Sequence, residues 1–403
     1  MFTEDHLVPL VATHLRYRVG SGHEVFGRTG LAHLLEHLMF QGSANTAPGE
    51  YASLMTGAGA RFNAATSFEW TSYYATLPSD QLALALRLEA DRMATLPEAL
   101  DPGRLEIQRE VVMNERLQRY DNVPYGTALE HLFGLGHPYR HLPIGSPGDI
   151  AALTLEHCRE FFLTYYTPGN AILSLVGDAE PERVFGLVER YFGPVPARPG
   201  PAPPNSSDLC QLGGDERKRL EIREETAGPA LFALFRLPPA GGPELESAAA
   251  AVDILGLGRS GRIRRRLVQE ARLAAKVDLT VKRFFDSPSA ALLSIIGMEG
   301  SSLEAIESVL FEEFDLLASS DPTDSEMECA VAQAEREFLE RTQTLAGLAG
   351  EIAGDLLALD DPVRAFEAME WRSQVDGSGI RSAAALHFQP GPSAVLTYME
   401  GSG

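Results

Sequence analysis

Lysine is almost missing from this chain. Lys218, Lys276 and Lys282 are the only three in 403 residues, and even with arginine the basic side chains number 34 against 56 acidic ones, a formal charge of −22. Phosphate backbones and anionic lipids need a positive field, so this balance argues against nucleic acid or a membrane as partner. A basic peptide is the kind of molecule such a field attracts. Cysteine is scarce too: Cys158, Cys210 and Cys329 lie far apart and form neither a disulfide framework nor a CxxC metal pair. They fit a reducing compartment. No apolar run reaches the roughly 18 residues that span a bilayer, and no basic segment followed by an apolar core opens the chain as a leader. The strand-like pattern starts at once, at Leu7, which raises the expectation that an earlier segment is missing. Few lysines amid many alanines, leucines and arginines fit a GC-rich bacterial genome, and the expected location is the bacterial cytoplasm.

The residues that are present suffice for a sizeable core, with 44% hydrophobic and 22% charged side chains. At about 150 residues per domain, the length predicts two or three domains. Six prolines crowd between Pro194 and Pro204, too dense for a sheet interior, and predict an extended linker over 195–214. That leaves a first domain over 1–194 and a second over 215–403.

Both halves repeat one order of elements. The first reads as a strand over 8–19, a helix over 30–40, strands over 60–63 and 72–77, helices over 81–95, 102–119 and 155–165, a buried strand over 171–176 and a helix over 182–192. The second reads as strands over 220–223 and 230–236, a helix over 244–255, strands over 277–281 and 290–297, and helices over 303–318 and 324–345. A closing helix over 380–387 and strand over 394–399 echo the end of the first half. Paired helices among runs of strands predict an α+β fold in duplicate, two tandem similar domains, each a mixed and mostly antiparallel sheet packed with helices.

One motif carries chemistry. His33-Leu34-Leu35-Glu36-His37 sits in a strongly helical stretch, where residues four apart share a face. His33 and His37 can therefore offer two imidazoles to one Zn²⁺. Glu36 falls beside such an ion without having to bind it, the place from which a general base takes a proton from water. With ten histidines and 37 glutamates in the chain, HxxEH arises by chance about 0.02 times per sequence. A catalytic zinc takes a third protein ligand. Glu115, on the helix over 102–119, is a candidate, but spacing alone does not single it out from the other acids there. Gln108 lies two turns earlier on nearly the same face and can hydrogen-bond a ligand or the water.

The run Gly27-Arg28-Thr29-Gly30-Leu31-Ala32-His33-Leu34-Leu35-Glu36-His37-Leu38-Met39-Phe40 resembles the signature of the pitrilysin family, which includes insulin-degrading enzyme and the mitochondrial processing peptidases. Further matches follow in order: Asn63-Ala64-Ala65-Thr66 with Tyr73 and Leu77-Pro78, Arg109 to Glu115, His137-Pro138-Tyr139 with Gly145, Tyr166-Thr167-Pro168, and Val176-Gly177-Asp178. The resemblance covers most of 8–200 and weakly the rest. It implies a duplicated α+β fold, zinc on His33, His37 and Glu115, and Glu36 as general base. Where family members often carry a second Glu, seven residues before the ligand, this chain has Gln108, an amide that keeps hydrogen bonding and loses charge. The family adds its peptide substrate as a strand to a sheet edge, which here implies Phe62-Asn63-Ala64.

Other features carry less. Gly256 to Gly261 spells GxGxxG, but it follows a helix and not a strand, so it reads as a glycine-rich turn. Arg262, Arg264, Arg265 and Arg266 read as a solvated basic face, with contact to a peptide C-terminus the lesser option. His131, His137 and His141 read as loop histidines, and Asn205-Ser206-Ser207 as a sequon without weight in a chain not read as secreted.

The expectation is a zinc metallopeptidase with Glu36 as base; the alternative is a silent structural or assembly subunit, which the resemblance also allows but which commonly loses motif residues. Active members pair the zinc half with a second half carrying an Arg and, seven residues on, a Tyr. Val268 and Ala275 stand where those two fall, and no tyrosine occurs between Tyr191 and Tyr398. The resemblance therefore implies a heterodimer with a homologous partner subunit that supplies the pair, or failing that a homodimer.

Overall fold

The computed structural model describes residues 1–133, 137–198, 200–201, 218–224, 228–256, 258 and 260–400. Most of the expected linker over 195–214, with Cys210 and the sequon, lies outside the described residues, as do Leu257 and Arg259 of the glycine-rich run. Two compact units form, and they do not follow the order of the chain. One comprises Met1–Val123, His141–Pro203 and Leu339–Val363; the other comprises Pro124–Arg140, Pro204–Phe338 and Arg364–Gly403. Among the described residues no helix is long and apolar enough to cross a membrane.

The first unit is built on strands β1 (Phe2–Glu4), β2 (Leu10–Tyr17), β3 (Arg61–Thr66), β4 (Thr71–Pro78) and β5 (Ala171–Gly177). Their order is β1-β5-β2-β4-β3, with β1 and β5 parallel and the remaining pairs antiparallel. Successive side chains of a strand point to opposite faces, and β2 is buried on both. Val11 joins Leu77, Leu86, Leu175 and Val184 on one face, while Ala12 joins Val176, Ala349 and Ile352 on the other. The helices that position the site are α1 (Leu31–Leu38), α2 (Glu50–Gly57), α3 (Leu82–Ala99) and α4 (Pro102–Arg116). α4 starts where Asp101 accepts from the Arg104 amide, with Pro102 in the first turn, where a missing N–H is harmless. It does not run on as an α-helix to residue 119: a π-turn takes over at Leu117–Asp121.

The second unit repeats the plan with β6 (Lys218–Glu224), β7 (Ala230–Arg236), β8 (Ala274–Lys282), β9 (Ala290–Gly297) and β10 (Ala394–Glu400), in the order β6-β10-β7-β9-β8. Its single parallel pair, β6 with β10, corresponds to β1 with β5. The fold is α+β and duplicated, as the sequence predicts. The core holds Phe235, Phe314 and Phe388 against the alanine-rich helix Pro243–Gly256.

Two further sequence expectations fail locally. The helix expected over 324–345 stops at Thr342, and a separate helix, Leu345–Leu359, starts on the Thr344 cap. Its Gly347, Gly350 and Gly354 weaken the helical signal in sequence, yet Gly350 and Gly354 stand four apart where β2 comes close. A Cβ on Gly350 would lie 3.2 Å from the His14 ring, and one on Gly354 would lie 2.6 Å from the Arg16 guanidinium. The basic run, in turn, is not simply solvated. Arg262 makes a forked pair with Glu326 at 2.6 and 2.8 Å, and Arg266 reaches Glu312 and Glu313 at 2.9 and 2.8 Å.

Candidate metal centre

α1 begins at Gly30, whose φ of 86° is natural only for glycine. A Cβ there would come within 2.6 Å of the Ile144 carbonyl, and one on Gly145 (φ 78°) within 2.4 Å of Gly30 itself. Two glycines thus let the loop 141–146 press on the helix start. The exposed amides of that start need acceptors, and a buried Glu24 provides them, accepting from Gly30 N at 2.8 Å and Ala32 N at 2.7 Å. Burial pushes the Glu24 carboxyl well above the usual carboxylate range. Thr29 is tied by its amide and hydroxyl to Asp149, at 3.1 and 2.6 Å. Arg116, at the end of α4, donates to the Gly145 carbonyl, which fixes α4 against the same loop.

The frame brings three donors together. His33 Nε2 lies 3.8 Å and His37 Nε2 3.4 Å from Glu115 Oε2, and one ligand atom from each residue lies within 4.8 Å of the others. The imidazoles meet edge to face with centroids 4.8 Å apart. Burial, then the charge of His37, drops the His33 pKa to about 4, so the ring stays neutral near pH 7. Hydrogen bonding to His37 heads the causes that lower the Glu115 carboxyl. Its other oxygen, Oε1, pairs with Arg119 at 2.7 Å.

Glu36 stands beside this set and outside it. Its Oε2 accepts from the Thr66 hydroxyl at 2.6 Å. Burial raises its carboxyl above the ordinary value, against the opposing pull of that hydrogen bond. All of these groups line a cavity of about 530 Å³, shared with Asn63, Ala64 and Gln108.

The sequence expectations therefore meet in one place, with one exception. His33, Glu36, His37, Glu115, Gln108, Asn63 and Ala64 all line the cavity. Phe62 is the exception: it does not line the cavity, and its ring packs in the core, with centroids 5.4 Å from Tyr51 and 6.1 Å from Phe40. β3 pairs only with β4 among the described residues, so it is a sheet edge. Residues that sequence reasoning gave no role are Thr66, Arg119 and Glu24. The loop histidines stay out of the cluster. His131 sits on a short helix, a buried His137 stacks on Phe133, and His141 Nδ1 faces Glu24 at 3.8 Å.

Residues 2–134 match the family model described as Insulinase (Peptidase family M16), and residues 152–334 match the one described as Peptidase M16 inactive domain. The chain is 28% identical over 366 residues to a protein of Helicobacter pylori named zinc protease PqqE, covering 89% of this chain and 82% of that one. It is 29% identical over 280 residues to an uncharacterized zinc protease of Mycobacterium tuberculosis, covering 67% of this chain and 61% of that one. Over 195 residues it is 30% identical to a probable mitochondrial-processing peptidase subunit beta of Schizosaccharomyces pombe, 47% of this chain and 42% of that one. The crystal structure of a protease from Helicobacter pylori superposes with a TM-score of 0.88 at 25% identity, covering 98% of this chain and 96% of that one.

Proposed function

The chain belongs to the M16 peptidase family, and from that premise we propose that it is a zinc metalloendopeptidase with Glu36 as its general base. The observation that carries this reading is the convergence of His33, His37 and Glu115 with Glu36 alongside. Two imidazole nitrogens and one carboxylate oxygen are the donor set of a catalytic zinc site with a position left open, so the residues fit the ion. Zinc, when bound, supplies a Lewis acid that polarises a peptide carbonyl and acidifies water.

The remaining work falls to side chains. Glu36 takes a proton from the attacking water and hands it to the leaving amine. Thr66 holds one Glu36 oxygen, which leaves the other for the proton. A carboxyl raised by burial holds that proton more readily than a solvated one. The free edge of β3 offers backbone groups to an extended peptide, with Asn63 and Ala64 at the cavity and Gln108 as a hydrogen-bonding neighbour of the ligands.

One comparison favours the silent-subunit reading, because residues 152–334 match a model described as an inactive domain. The four site residues lie outside that stretch, within 2–134. The second unit has Val268 partly buried against its core and Ala275 on β8, where an Arg and a Tyr would serve substrate. We infer that a homologous partner chain supplies these side chains, as preorganised donors worth about 3–4 kcal/mol. Zinc content and peptide hydrolysis of the pure chain, with and without such a partner, test the proposal. One zinc per chain and hydrolysis that rises with the partner are expected. A chain without zinc is the result that returns the silent subunit.

A further inference from the structure

The cavity wall carries two carboxylates and one guanidinium among mostly uncharged side chains. Glu36 and Glu115 both line it, and Arg119 is the one Arg or Lys among the described lining residues. Arg119 sits in the π-turn Leu117–Asp121 that extends α4. A π-turn adds a residue to the helical turn and re-aims the side chains that follow, often at functional sites. Its side chain is 70% exposed while the Glu115 it touches is 18% exposed, so one part of the guanidinium is anchored and the rest faces open space. A guanidinium has five N–H donors in a planar fork. The contact with Glu115 Oε1 at 2.7 Å leaves most of them free for a second carboxylate.

The geometry points to Arg119 as a specificity-determining residue that binds a carboxylate of the substrate peptide beside the scissile bond. The inference rests on the peptidase reading and adds a preference to it. It also sets the cleft against the rest of the chain. A charge of −22 draws in basic peptides from a distance, whereas Arg119 favours an acidic group at the point of cleavage. Without Arg119, such a group would meet no Arg or Lys among the described residues of the cavity wall. The carboxylate has two possible sources, an Asp or Glu side chain or the C-terminus of a short peptide.

The test uses the zinc-loaded chain and a peptide whose cleavage site has been mapped. Two pairs are compared: Glu against Gln beside the scissile bond, and a free C-terminus against its amide. Wild type should favour the acidic member of one pair by about fivefold or more in kcat/KM, and the pair that responds identifies the source. Arg119→Gln should abolish that preference with zinc content intact, Arg119→Lys should keep part of it, and Arg119→Glu should reverse it. Raising the ionic strength should shrink the preference in wild type alone. Equal preference in wild type and Arg119→Gln overturns the inference while hydrolysis persists, which leaves the peptidase reading standing. Partial loss of zinc from Arg119→Gln, with the preference unchanged in the activity that remains, also overturns it, since Arg119 would then only hold Glu115. Should turnover be too slow to compare, the same pairs are titrated into Glu36→Gln with and without Arg119→Gln. Equal affinity for both members overturns the inference, and no peptide binding at all overturns the peptidase reading with it.

Discussion

Glu36 and His37 are neighbours in sequence, yet one is held by Thr66 and the other faces Glu115. That difference underlies the roles proposed for them. Glu36→Gln should keep its zinc and lose about 10²–10⁴-fold in peptide hydrolysis, the usual worth of a general base; hydrolysis at the parent rate would mean another group takes the proton. Thr66→Val removes the hydroxyl that orients Glu36 and should lower kcat, by about tenfold, with metal content unchanged. Glu115→Ala should weaken zinc binding far more than Glu110→Ala. Glu110 is five residues earlier, about 140° round the helix, and exposed. Equal zinc in those two variants would remove Glu115 from the ligand set. His33, Glu36 and His37 were legible because helical spacing alone places two rings on one face. Glu115 needed the resemblance, since an acid on a helix is ordinary. Thr66, Arg119 and Glu24 were not legible, because their roles depend on the β3–β4 register, a π-turn and a loop crossing.

The elements show the same division. α1 is strongly periodic and its sequence predicts it, but its start depends on Gly30 and Gly145 touching. Either glycine changed to alanine should cost about 1–3 kcal/mol through strain at a positive φ, and should loosen zinc because α1 carries two of the proposed ligands. The helix Leu345–Leu359 escaped sequence reading because three glycines look like loop; in place, two of them admit His14 and Arg16 of β2. His14 is buried with both ring nitrogens unpartnered and stacked on Tyr74. Burial, helped by the Arg16 charge, lowers its pKa from 6.5 to about 3. A lowered folded pKa contributes stability that is fully present above pH 6.5 and is lost as pH falls toward 3. The loss is on the order of a few kcal/mol at the acid end. Denaturant titrations over that window should therefore show wild type losing ground to His14→Leu as pH falls, with amides of Leu345–Leu359 exchanging sooner. A pH-independent difference between the two proteins would contradict it.

Across the full chain, the duplication was legible from repeated element order, and both sheets share one strand sequence with a single parallel pair at the same place. What the order could not reveal is that Leu339–Val363 belongs with the first sheet, because its contacts lie more than 150 residues upstream. The two units also differ in chemistry. Three side chains that could hold a metal and the proposed base gather in the first, and the second keeps the fold without a tyrosine between Tyr191 and Tyr398. Light scattering of the chain mixed with a homologous one carrying the Arg/Tyr pair should show a 1:1 complex, and that mixture should outpace either chain alone. The central claim is tested most directly by digesting a defined peptide library with that mixture and reading it by mass spectrometry, with wild type and Glu36→Gln matched for zinc. Cleavage by wild type and almost none by Glu36→Gln is the expected result. Equal cleavage by both, or none by either at full zinc occupancy, would contradict it.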